Sequence, residues 1–178
     1  MNYSWRITKY NPIFRDSQGK YCNEEWTSIF DVGKSFSGQV FTIQDYLQTE
    51  KMYIKAVLDF VEYLKLPGLK VTSLMKWTNE FKYSQYYSKE MIELYCNIKE
   101  DDILNSENLL NLCKLILREN LGCQLLYETK IFVHFGYDYY MYIGCDESCE
   151  DVIQKISKMG LFVEDFKSPY LVDEDIDE

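Results

Sequence analysis

The side chains able to do acid–base or nucleophilic chemistry are few, and their spacing completes no known catalytic set. The chain has one histidine, His134, and six cysteines. Histidine is the side chain whose ordinary pKa lies near neutrality, so a histidine general base here has to be His134. It sits in an aromatic stretch beside Phe132, a setting that more often holds a packed imidazole. Cys145 and Cys149 are spaced C-x-x-x-C. A structural zinc takes four ligands in two such pairs. The nearest further candidates, Cys123 and His134, bring no partner at the required spacing, and Val152 stands where an iron–sulfur site would need a third cysteine. Gly33-Lys34-Ser35 matches the end of a phosphate-binding loop, but Ser28 occupies the position of its first glycine. That glycine lets the backbone curl its N–H groups toward phosphate. Asp173-x-Asp175-x-Asp177 opens like a calcium loop without the Gly and Glu that complete one. No metal or cofactor is expected, and a non-catalytic protein is favoured over an enzyme.

Two features point to binding instead. The first is charge. Residues 1–100 carry 12 acids and 13 bases, whereas residues 101–178 carry 17 acids and 6 bases, so the whole net charge of -10 arises in the second half. Nucleic-acid binding needs Lys and Arg to neutralise phosphates, so this half argues against it. A nucleic-acid-associated regulator that uses the near-neutral first half, with Lys70, Lys76 and Lys82 as a weak basic set, is a third reading. An acidic surface suits a basic protein partner, because opposite potentials speed and orient encounter. Asp146, Glu147, Glu150 and Asp151 crowd the expected start of a helix, where the helix dipole also favours them. The second feature is the run Tyr137-Asp138-Tyr139-Tyr140-Met141-Tyr142. Tyrosine combines a large contact area with a hydroxyl and loses little entropy when fixed, which suits recognition. The expected binding set is therefore His134, Tyr137, Asp138, Tyr140, Tyr142, Glu147, Glu150 and Asp151. The alternative is a small-molecule site or small enzyme whose pocket lies between the sheet and loop 10–40, with His134 and Asp138 as its polar groups.

These residues have to be positioned by an α+β fold. Residues 3–9 alternate as a strand, and residues 10–25 carry turn chemistry. Apolar residues recur with a 3.6-residue period from Tyr46 to Leu64, a helix capped at Thr42 and ended by Pro67-Gly68. In that cap Asp45 is a poor stand-in for the glutamate of a capping box. Residues 69–77 read as a strand and 78–88 as a loop. Residues 91–98 alternate and read as a strand. A second helix, capped by Ser106, runs to a stop at Gly122. Residues 125–127 start a strand, and 130–144 read as a hairpin. A type II′ turn at Phe135-Gly136-Tyr137-Asp138 would pair Val133 with Tyr140 and Ile131 with Tyr142. Both faces of that hairpin are apolar, which places it in mid-sheet. A third helix spans about 148–159, stopped by Gly160 before a strand at 161–164. The result is a mostly antiparallel sheet with about three helices and a ferredoxin-like split βαβ order from residue 90. Residues 1–170 form one domain and residues 171–178 an acidic tail. No apolar run approaches the ~20 residues of a membrane span. MNYSWRITKYN carries no basic-plus-apolar leader, so a cytoplasmic chain with reduced thiols is expected.

WRITKYNP at 5–12, EEWTS at 24–28, DVGK at 31–34, HFGYDYYMYIG at 134–144 and GLFVEDFKSPY at 160–170 resemble a group of small uncharacterised bacterial cytoplasmic proteins. The likeness covers nearly the whole chain and implies no catalytic residues. In general character, small and acidic, the chain is also similar to immunity proteins of bacterial toxin systems. That likeness implies a non-catalytic module that holds a basic partner protein.

Overall fold

The structure is a computed structural model that describes residues 1–171. Nine strands and four helices alternate along it: β1 (Tyr3–Thr8), β2 (Ser35–Phe36), β3 (Gln39–Val40), α1 (Ile43–Tyr63), β4 (Leu69–Lys76), α2 (Lys89–Asn97), β5 (Ile103–Leu104), α3 (Ser106–Leu117), β6 (Leu121–Tyr127), β7 (Ile131–Phe135), β8 (Met141–Cys145), α4 (Glu150–Met159) and β9 (Phe162–Asp165). Seven strands form one sheet in the order β5-β4-β6-β7-β8-β1-β9, and β2-β3 is a separate two-stranded ribbon. Every strand pairing within the large sheet is antiparallel. The α+β class follows the sequence pattern, with four helices where about three are expected. The split βαβ succession also runs along the chain as β5-α3-β6-β7-β8-α4-β9. In the sheet, however, β1 lies between β8 and β9.

Strand side chains alternate between two unlike faces. Trp5, Val71, Leu125, Val133, Ile143 and their same-face neighbours join the helices in one continuous core. The opposite face carries Arg6, Phe132, His134, Tyr142 and Gly144, across which the segment after β9 returns. Phe166 packs on Tyr142 at 5.8 Å, and Tyr170 meets both Tyr142 and His134 edge-on. The hairpin thus sits in mid-sheet with both faces covered.

Four local expectations are corrected. Residues 91–98 are helical, in α2, because Met91, Leu94, Tyr95 and Ile98 also fit a 3.6-residue period. Met91 and Ile98 are buried, and Leu94 and Tyr95 are partly so. Ser88 caps that helix through the Met91 N–H. Asp45 completes the capping box of α1, accepting from the Thr42 N–H at 2.9 Å. Asn105, not Ser106, caps α3. That helix ends at Leu117, well before Gly122: just past its Arg118 cap, Glu119 takes a left-handed φ of 60°, and the Asn120 N–H closes back onto the Leu115 carbonyl at 2.9 Å. This is the Schellman geometry in which glycine is usually found. Gly122 belongs to β6, where the Trp77 ring lies so close that a Cβ would run into it.

The hairpin register also differs. Phe135 pairs with Met141, Val133 with Ile143 and Ile131 with Cys145. The loop therefore spans Gly136–Tyr140, closed by Gly136 N–H to Tyr140 carbonyl at 2.7 Å. Asp138 and Tyr139, not Gly136, take positive φ, at 54° and 63°. The cause is Tyr139, which turns inward to pack edge-on against Tyr46, Tyr53 and Trp26. The Tyr53 hydroxyl donates to its carbonyl at 2.6 Å. Burying that ring outweighs the tighter two-residue turn.

Candidate functional site

The expected binding residues separate into three places along the β7–β8 hairpin. Tyr137, Asp138 and Tyr140 lie in its loop. Glu147, Glu150 and Asp151 lie beyond the other end of β8, about 14 Å away at the usual rise per residue of a five-residue strand. His134 and Tyr142 occupy the middle, on the sheet face away from the helices.

In the middle, His134 is 5% exposed and stacked on Phe132 at 4.4 Å. Its Nδ1 lies 2.8 Å from the Ser168 Oγ, which in turn accepts from the Tyr170 N–H at 3.3 Å. Burial lowers the imidazole pKa to about 4, so near neutral pH it is uncharged and shares a neutral hydrogen bond with the Ser168 hydroxyl. It pins the returning segment. Behind this latch Arg6 grips Glu164 through Nε at 3.1 Å and Nη2 at 2.8 Å, while Arg15 reaches Glu164 and the Tyr140 hydroxyl.

At the loop end a cleft of about 640 Å³ opens. Its walls come from β4, the end of α3, β6 and the 136–140 loop, with Thr27 and Ser28 contributed by the long loop after β1. Asp138 lines it, but His134 does not; Phe135 and Tyr170 stand there instead. A pocket between the sheet and loop 10–40 thus exists around Asp138 without the expected histidine. Sequence reasoning missed Trp77, Glu119 and Gln124, which converge from three separate elements. The one local signal was Gly122, whose missing side chain lets Trp77 lie flat across β6.

At the far end, Asp146, Glu147, Ser148, Glu150 and Asp151 are all exposed. Glu150 and Asp151 occupy the first turn of α4, with Cys149 as its N-cap in the left-handed region. The Asp146 carboxylate lies 3.7 Å from the Met1 ammonium. Glu147, Glu150 and Asp151 have no ion-pair partner among the described residues. A shallow groove of about 410 Å³ runs beside them, lined by Tyr3, Trp5, Glu150, Ile153, Gln154 and Asp165. Tyr3 stacks on Trp5 at 5.9 Å and is 42% exposed.

The remaining motifs take structural places. The Cys145 and Cys149 sulfurs lie 3.4 Å apart, both buried, and burial pushes both thiols up. Among the described residues no group of three or more His, Cys, Asp or Glu is placed to hold a metal. Gly33-Lys34-Ser35 leads into β2 rather than a helix, and Lys34 pairs with Asp31 at 2.7 Å. Lys70 pairs with Asp101, Lys76 donates to the Cys96 carbonyl, and Lys82 lies over Phe30. The Asp173–Asp177 run falls outside the described residues. Among those described, no helix is long and apolar enough to cross a membrane.

Searches of protein-family models, curated proteins and solved structures find no match to this chain. The functional reading therefore rests on the geometry alone.

Proposed function

We propose that this chain is a non-catalytic protein-binding module that engages a basic partner through the acidic surface around the N-terminus of α4. The observation that carries this reading is the exposure of Glu147, Glu150 and Asp151 without ion-pair partners among the described residues. Several other acids of the second half are engaged within the fold: Glu164 holds Arg6 and Arg15, Asp101 holds Lys70, and the Asp102 carboxylate accepts the Lys99 N–H. The adjacent groove supports the same reading. Its Tyr3 ring, with Glu150 and Asp165 beside it, suits a Lys or Arg side chain, which gains from both ring face and carboxylate.

A cytoplasmic protein that blocks the cationic site of a basic protein fits this chemistry, in the manner of immunity proteins of bacterial toxin systems. The test is paired affinity capture. Wild type and a Glu147→Gln, Glu150→Gln, Asp151→Asn variant serve as baits in lysate of the source cells, at about 50 and 500 mM salt. A basic protein held by wild type at low salt, released at high salt and lost by the variant supports the proposal. Identical retention by both baits contradicts it.

A further inference from the structure

We propose that the cleft at the loop end of the β7–β8 hairpin is a binding site for a small organic cation, a protonated amine carried on a planar or apolar body. It is separate from the acidic surface of α4 and does not depend on that surface having a partner. Its volume of about 640 Å³ lies within the range of small-molecule sites.

The chemistry of the lining selects the ligand class. Among the described residues its lining includes Asp138 and Glu119 but no Lys, Arg or His. Neither carboxylate has an ion-pair partner or an accepted hydrogen bond among the described residues. An anion entering here would meet two like charges and no donor cation, so phosphate and carboxylate ligands are disfavoured. A cation meets carboxylates together with the exposed rings of Trp77 and Tyr137, whose quadrupoles attract positive charge.

The walls are held in place before any ligand arrives. Trp77 is 52% exposed, yet its ring lies across the bare backbone of Gly122. Tyr139 anchors the loop through its packing against Tyr46 and Tyr53, which leaves Asp138 at the rim. Four lining residues, Ser73, Glu119, Asp138 and Tyr139, adopt positive φ without being glycine. Glu119 in particular occupies the helix-stop position that favours glycine, and is one of the two acidic residues of the lining. Gln124 and Ser73 supply neutral polar groups on the β6 and β4 walls.

The test is calorimetric titration with three probes of one shape and different charge: tryptamine, the neutral tryptophol and the anionic indole-3-acetate. Benzyltrimethylammonium serves as a second cation. Tryptamine is expected to bind about tenfold or more tighter than tryptophol, with indole-3-acetate weakest. Asp138→Asn and Glu119→Gln, each checked for an unchanged urea midpoint, are expected to reduce that preference to about threefold or less. The Glu147→Gln, Glu150→Gln, Asp151→Asn variant is expected to bind tryptamine as wild type does, which separates this site from the surface of α4. Equal or tighter binding of the neutral or anionic probe overturns the proposal. So does failure of both cations to bind at about 10 mM, a Kd at the weak end of specific recognition. A charge preference that survives in both variants overturns it as well.

Discussion

Removing the Arg118 guanidinium is expected to be the most damaging single change in the helical layer. Arg118 and Glu50 have side chains only 2% and 4% exposed. The guanidinium donates through Nε to one carboxylate oxygen at 2.6 Å and through Nη2 to the other at 2.7 Å. Its Nη1 reaches the Tyr86 carbonyl at 2.8 Å, and its plane lies 4.7 Å from the Tyr87 ring centre. One side chain therefore joins α1, the end of α3 and the 78–88 loop. Arg118→Met keeps the volume but leaves the Glu50 carboxylate buried without compensation, which costs about 3–5 kcal/mol. With a urea slope of about 2 kcal/mol/M, the midpoint should fall by roughly 1.5–2.5 M. Glu50→Leu combined with Arg118→Met removes both charges and should recover to within about 1–2 kcal/mol of wild type. The assay is equilibrium urea unfolding of the three proteins, followed by circular dichroism and tryptophan fluorescence together. A single variant losing under about 1 kcal/mol, or a double variant as unstable as the single, would refute the claim that charge compensation dominates there.

Other outcomes follow from the same contacts. The folded pKa of His134, about 4, lies below its unfolded value of about 6.5, so the unfolded chain binds the extra proton between those pH values. Stability contributed by the neutral imidazole is full above pH 6.5 and is lost, by up to roughly 3 kcal/mol, as pH falls toward 4. His134→Gln should flatten that limb of a urea-midpoint profile against pH. Tyr53→Phe orphans two backbone groups at once, the part-buried Lys9 N–H at 2.8 Å and the buried Tyr139 carbonyl at 2.6 Å, and should cost about 1–3 kcal/mol in the same unfolding assay. Gly144→Ala drives a Cβ into the Phe132 ring and should lower stability by about 1–3 kcal/mol. Glu119→Gly relieves a left-handed glutamate and should raise the thermal midpoint, by about 0.5–1 kcal/mol of stability.

What the sequence made legible was the part written in local chemistry. Thr42 and Asp45, three residues apart before an apolar 3.6-residue period, define the start of α1. Gly160, with φ of 104°, defines the end of α4. The failures arose where two periods fit one short segment or where a distant ring decided the outcome. Residues 91–98 satisfy both alternation and helical spacing, and only packing of α2 on α3 separates them. The hairpin turn looked settled by Gly136, but Tyr139 found a pocket of aromatic rings contributed by residues 26, 46 and 53. The site divides in the same way. The acids at the start of α4 are neighbours in sequence and remain neighbours in space. The cleft joins Ser73, the 119–124 stretch and Asp138, three segments brought together only by the order of β4, β6 and β7 in the sheet.

The most direct measurement is calorimetric titration of the captured partner into three proteins: wild type, the Glu147→Gln, Glu150→Gln, Asp151→Asn variant, and a Glu119→Gln, Asp138→Asn variant. The α4 variant should weaken binding by about 10- to 100-fold and flatten its salt dependence, while the cleft variant should match wild type. An α4 variant that binds as tightly as wild type would contradict the assignment of that surface to a basic partner.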